Sequence, residues 1–99
     1  MDFETLLGQV QGLAAPAPAL GKSLKFDFGD NKLYIDGNGE TNTVTTEDKD
    51  ADCLIIVTME NLKAMMTGDL NPMTAFMMGK IKVKGDMSVA MKLQSLFKG

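Results

Sequence analysis

Near residue 58 the apolar residues of this chain turn from a mainly two-residue repeat to a mainly helical one, and that switch limits its fold more than any other feature. Leu24, Phe26 and Phe28 alternate with Lys25 and Asp27, and Leu33 and Ile35 alternate with Lys32, Tyr34 and Asp36. A two-residue repeat of this kind marks half-buried strands. Gly29-Asp30-Asn31 separates the two runs, with the turn chemistry of an antiparallel hairpin. Asp36-Gly37-Asn38-Gly39 makes a second turn, and the polar, β-branched residues 40–46 predict a third strand at or near an edge. Residues 53–59 are apolar on both faces and read as an interior strand covered on both sides.

From there the repeat becomes helical. Leu62, Met65 and Met66 share a face, with Thr58 as cap and Gly68 as stop. Asn71-Pro72 starts a second helix, since Asn caps and Pro suits the first helical position; Met73, Phe76 and Met77 share its face and Gly79 ends it. Residues 80–84 alternate lysine with Ile81 and Val83, predicting a final strand, and Gly85-Asp86 leads into a last helix to about Phe97. At the other end, residues 2–13 predict a helix capped by Asp2, with Phe3, Leu6, Leu7 and Val10 on one face. Gly8 and Gly12 weaken it, and the prolines of residues 14–18 make a stiff connector. Hairpins early and helices late predict an α+β fold, with helices packed on one side of a mainly antiparallel sheet. At 99 residues, the expectation is a single domain over residues 1–99 around one core.

Composition excludes several chemistries. All ten basic residues are lysine, and arginine, histidine and tryptophan are absent. Without arginine the usual bidentate reader of phosphates and guanines is missing, so no nucleic-acid partner is expected. Ser23, Ser88 and Ser95 have no histidine to activate them, and Cys53 lies in an apolar run where an unreactive thiol is expected. Asp48, Asp50 and Asp52 match the first ligand positions of a calcium loop, but its glycine is replaced by Cys53 and its bidentate glutamate by Met59. Gly37-Asn38-Gly39 begins like a dinucleotide fingerprint without its third glycine or helix. Asp27 with Asp36 is the remaining carboxylate pair, the basis of a competing hydrolase reading. The expectation is a protein that is not an enzyme, with no catalytic residue, no metal and no cofactor. The longest apolar run is five residues, residues 53–57, and Met1-Asp2-Phe3-Glu4 lacks a basic leader. With Phe97-Lys98-Gly99 in place of a peroxisomal address, a cytoplasmic location is expected.

Methionine is where the composition becomes specific: eight of nine fall between residues 59 and 91. Its unbranched, polarizable side chain conforms to irregular apolar partners, although ordinary core packing uses it too. In the last helix Met87, Val89, Ala90, Met91, Leu93, Leu96 and Phe97 cover well over half the circumference, leaving Ser88, Lys92 and Ser95 as a polar stripe. Contact with one sheet face needs an apolar arc of roughly 100°. The second flank must therefore meet another helix, a partner chain or a bound apolar ligand.

Residues 71–93 read Asn-Pro-Met-Thr-Ala-Phe-Met-Met-Gly-Lys-Ile-Lys-Val-Lys-Gly-Asp-Met-Ser-Val-Ala-Met-Lys-Leu. With the upstream Ala51-Asp52-Cys53 and Leu70-Asn71-Pro72, this segment closely resembles the signature of the sterol carrier protein type 2 lipid-binding domain family. The resemblance covers about residues 20–97. It implies a five-stranded sheet whose helices enclose a hydrophobic tunnel for sterols, phospholipids, fatty acids or acyl-CoA, carried without covalent chemistry. By position, the resemblance places Leu62, Met66, Phe76, Met77, Met78, Ile81, Met87, Ala90 and Met91 in the tunnel wall, with Phe3 and Leu6 nearby. Three departures stand out: a shorter N-terminal helical region, Met78 where many members carry glutamine, and no peroxisomal ending. They suggest a stand-alone bacterial-type member and a ligand that is an acyl chain or isoprenoid as readily as a sterol. Lys80, Lys82 and Lys84 offer transient contact with an anionic membrane, or simply guard a strand edge. The alternative function is an interaction module whose methionine-rich helices close a homodimer or dock a partner in lipid or quinone metabolism.

Overall fold

The computed structural model describes residues 2–92 and Leu96. Helix α1 spans Phe3–Ala14, and the Asp2 side chain caps it by accepting from the Thr5 N–H. Strands β1 (Ser23–Asp27) and β2 (Lys32–Asp36) form the expected hairpin, and β3 (Thr43–Thr45) follows as an edge strand. Then come β4 (Cys53–Ile56), α2 (Met59–Thr67), α3 (Pro72–Met77), β5 (Lys82–Gly85) and α4 (Met87–Met91). The sheet order is β3-β2-β1-β4-β5.

Register explains why the core is one-sided. Leu24 and Phe26 of β1 stand opposite Ile35 and Leu33 of antiparallel β2, and beside Cys53 and Ile55 of β4. These six side chains share one face and are buried. Leu6 and Val10 of α1, Leu62 and Met65 of α2, Ala75 of α3 and Val89 of α4 complete the same core, with Leu96. The sheet is antiparallel at β1–β2, β2–β3 and β4–β5, while β1 and β4 run parallel. That parallel pair gives the α+β fold a mixed, mostly antiparallel sheet.

Two local expectations need correction, and a third reaches beyond the described residues. Strand β4 is interior in the sheet order, but Leu54 and Ile56 on its second face are only half-buried. The buried residues of all four helices join the core on the opposite face. Residues 47–50 reach across part of the second face instead: Asp48 pairs with Lys25 at 2.8 Å, and Lys49 Nζ lies 4.8 Å from the centre of the Tyr34 ring. Strand β5 begins at Lys82, because Lys80 belongs to the exit from α3. The Lys80 N–H donates to the Ala75 carbonyl at 2.8 Å and the Gly79 N–H to that of Phe76 at 3.1 Å, with Gly79 at φ 76°. This paired closure is the usual glycine-dependent end of a helix. Finally, α4 is described over Met87–Met91 and Leu96 is helical; the rest of the expected helix, residues 93–95 and 97, lies outside the described residues.

Candidate functional site

Capping specifies α3 more than packing does. Asn71 Oδ1 accepts from the N–H groups of Met73 at 2.8 Å and Thr74 at 3.3 Å, and Pro72 sets the first turn. Within the helix only Ala75 is buried. Met73 and Phe76 are therefore exposed, Met77 is 82% exposed and Met78, its C-terminal cap, 61%. Helix α4 repeats the arrangement. Asp86 caps it, accepting from the Ser88 N–H at 2.9 Å and hydroxyl at 2.6 Å, and forms an ion pair with Lys22. Val89 enters the core while Met87 and Met91 stand exposed. Among the described residues, every exposed large hydrophobic side chain falls between residues 73 and 91.

The residues expected in a tunnel wall divide accordingly. Leu6, Leu62 and Ile81 are core residues, and Phe3, Met66 and Ala90 pack against the core half-buried. Phe76, Met77, Met78, Met87 and Met91 are each left exposed. Three recesses among the described residues have other walls. One of about 590 Å³ is lined by Phe28, Thr58, Met59, Glu60 and Lys63. A neighbour of about 410 Å³ shares Phe28 and Thr58 and adds Ile56, Val57, Lys80 and Lys82. A third, of about 240 Å³, lies between residues 17–20, Lys92 and Leu96, where Lys92 Nζ donates to the Leu20 carbonyl at 2.8 Å. Sequence reasoning passed over Phe28, Met59 and Lys63. The available signal was Phe28 itself, an apolar residue carried past the strand into the turn, where it meets Phe3 edge-on at 6.0 Å.

The rejected chemistries look no better in three dimensions. Asp27 and Asp36 sit at opposite ends of the β1–β2 ladder, each accepting from its own turn, at the Gly29 and Asn38 N–H groups. Asp48 is paired with Lys25, and Asp52 accepts from the Ser23 N–H and hydroxyl, so the calcium-like spacing does not converge. No group of three or more His, Cys, Asp or Glu among the described residues is placed to hold a metal. Burial, and then the Asp86 charge, push the Cys53 thiol up to about 11, away from a nucleophile's range. Lys22 first, and then Ser88, hold the Asp86 carboxyl down at about 2.

Fold and surface together define a class: a small α+β protein with a one-sided core and uncovered methionines on its late helices. Comparison with known proteins gives that class a family. The SCP-2 sterol transfer family model matches residues 3–98, and the chain belongs to this family. Sterol carrier protein 2 of Bos taurus is 49% identical over 59 residues, which cover 60% of this chain and 11% of that protein. The chain thus corresponds to about a tenth of the curated relatives it matches. The apo form of sterol carrier protein 2 from Yarrowia lipolytica superimposes with a TM-score of 0.67 at 18% identity, over 96% of this chain and 75% of that one. Palmitated SCP2L2 from Aedes aegypti gives a TM-score of 0.67 at 18% identity, over 100% and 96%. Among the described residues no helix is long and apolar enough to cross a membrane.

Proposed function

We propose that this chain binds a long apolar ligand, an acyl or isoprenoid chain, and transfers or presents it without covalent chemistry. One observation carries the reading: among the described residues, the large apolar side chains left uncovered are confined to α3, its cap and α4. Exposed apolar surface beyond scattered single residues marks a binding surface. Each methylene buried there contributes about 0.8 kcal/mol, so a long chain binds with little polar recognition. Methionine adapts to chains of different shape. In the ligand-bound form Phe76, Met77, Met78, Met87 and Met91 close over the chain as tunnel wall, completed by Phe3, Leu6, Leu62, Met66, Ile81 and Ala90. Two likenesses support this: the bovine relative is named a sterol carrier, and the Aedes aegypti protein of the same fold is palmitated. Lys80, Lys82 and Lys84 then face an anionic membrane during loading or delivery.

Substitution of Met77 tests the reading. A fluorescent fatty acyl probe should bind the wild type, be displaced by natural lipids, and bind Met77→Asp at least tenfold more weakly, because a carboxylate is costly to desolvate. Since Met77 is 82% exposed, the variant's stability should stay within about 0.5 kcal/mol of wild type. Unchanged probe binding would remove Met77 from the wall. The same exposed methionines favour a second reading, a homodimer or docked partner. Light scattering with and without lipid separates the two: a monomer in both conditions fits a carrier, and a lipid-independent dimer that hides α4 fits an interaction module.

A further inference from the structure

Lysine pairing in this molecule is uneven. Lys22 pairs with Asp86, Lys25 with Asp48, Lys32 with Asp27 and Lys49 with Glu47, while Lys92 donates to the Leu20 carbonyl. The side-chain ammonium groups of Lys63, Lys80, Lys82 and Lys84 take part in no ion pair or hydrogen bond among the described residues. Three of these four line the two adjoining recesses that share Phe28 and Thr58. This concentration occurs in a chain whose net charge is −3.

The position follows from the topology. The second recess opens where parallel β1 and β4 both end, at Asp27 and Ile56, and where the chain leaves β4 for α2. Asp27 contributes little free charge, since its carboxylate is engaged by Lys32 at 3.1 Å and the Gly29 N–H at 2.8 Å. Lys63, Lys80 and Lys82 against Glu60 then leave two positive charges in the joined recesses. The Thr58 hydroxyl oxygen accepts from the Asn61 N–H and keeps its own proton to donate. Phe28, Ile56, Val57 and Met59 supply apolar walls beside the charges.

We infer that this double recess is a headgroup site for a phosphate monoester, held by Lys63, Lys80 and Lys82. A phosphate monoester carries about −1.5 to −2 at pH 7, which balances the uncompensated charge. Lysine serves such a group as a point charge and needs no fork geometry. The apolar walls continue from the charged part into the start of a hydrocarbon tail. The ligand of the proposed carrier is therefore an anionic amphiphile rather than a neutral lipid. This inference rests on the carrier reading for the tail, but not for the recess itself.

Calorimetric titration of the full chain with dodecyl phosphate, dodecanol and inorganic phosphate tests it. Dodecyl phosphate should bind at least tenfold more tightly than dodecanol, with a preference that shrinks as salt is raised. Replacing the three lysines together (Lys63→Gln, Lys80→Gln, Lys82→Gln) should bring that preference within twofold. Lys49→Gln, which removes a charge outside the recess, should leave it intact. Equal binding of the two dodecyl probes to the wild type overturns the headgroup site while leaving the carrier standing. A preference that survives the triple substitution places the head elsewhere and overturns it too. Lysine-dependent binding of inorganic phosphate, with no binding of either dodecyl probe, upholds the anion site and removes the carrier.

Discussion

Asp86 does three jobs with one carboxylate. It caps α4 through the Ser88 N–H, takes the Ser88 hydroxyl, and pairs with Lys22 from the start of the sheet. These contacts, the Lys22 one first, lower its pKa from 3.8 to about 2 in the folded chain. A carboxyl with a depressed folded pKa adds stability in full above its unfolded value and loses it as pH falls through the folded one. Chemical denaturation of wild type and Asp86→Asn should therefore differ by a constant amount between about pH 5 and 7. The difference should shrink from about pH 4 toward pH 2. A gap that persists undiminished to pH 2 would mean the carboxylate charge is not what holds α4. Other single residues carry structure that no repeat announces. Asn42, inside the polar run read as strand, is buried: its Oδ1 accepts from the Leu20 N–H at 2.9 Å, and its Nδ2 donates to the carbonyls of Ala14 at 2.9 Å and Pro18 at 3.1 Å. One side chain thus satisfies the backbone of the proline connector, a segment that has no regular partner of its own. Gly85 is similar, with φ 95° and a Cβ position that would run into the Asp52 carbonyl oxygen, so its place in the motif is a steric requirement.

Helix α3 is the element whose behaviour matters most. Six residues capped by Asn71 and anchored by Ala75 make a marginal helix. Its amides should exchange well ahead of those of β1 and β4, and saturating acyl ligand should slow them. Equal protection of α3 and β4 without ligand would show a helix already fixed in place. Elements of this kind were legible in the sequence because their signals are local. Asp2, Thr58 and Asn71 cap where spacing puts them, Gly68 adopts the left-handed stop at φ 88°, and alternation finds both strands of the hairpin. Pairing between distant strands was not legible. The parallel alignment of Leu24 with Cys53 depends on a connection that passes through β2 and β3, and no short-range pattern encodes it. Alternation places Tyr34 on a polar face, yet it is buried, with Lys49 of the segment 47–50 lying over its ring. The candidate surface was half legible. The helical wheel of the last helix carries more apolar residues than a sheet contact uses. Which of those residues turn inward depends on Ala75, Ile81 and Val89 docking first, and that is a tertiary choice.

At the scale of the molecule, the sheet separates two kinds of surface. One face holds the core and, beyond it, the uncovered methionines; the other carries Lys25, Tyr34, Leu54 and Ile56 under a short acidic segment. Unpaired lysines gather on α2, at the exit of α3 and on β5, so charge and apolar surface both concentrate in the later half of the chain. The proposed function asks this later half of the chain to hold both the greasy part of an amphiphile and its polar end. Native mass spectrometry of protein purified without detergent tests this most directly. A carrier is predicted to show a population one lipid heavier than the bare chain, which exchanges stoichiometrically with added acyl chain. Bare protein alone, with no adduct even after incubation with acyl chain, would contradict the account.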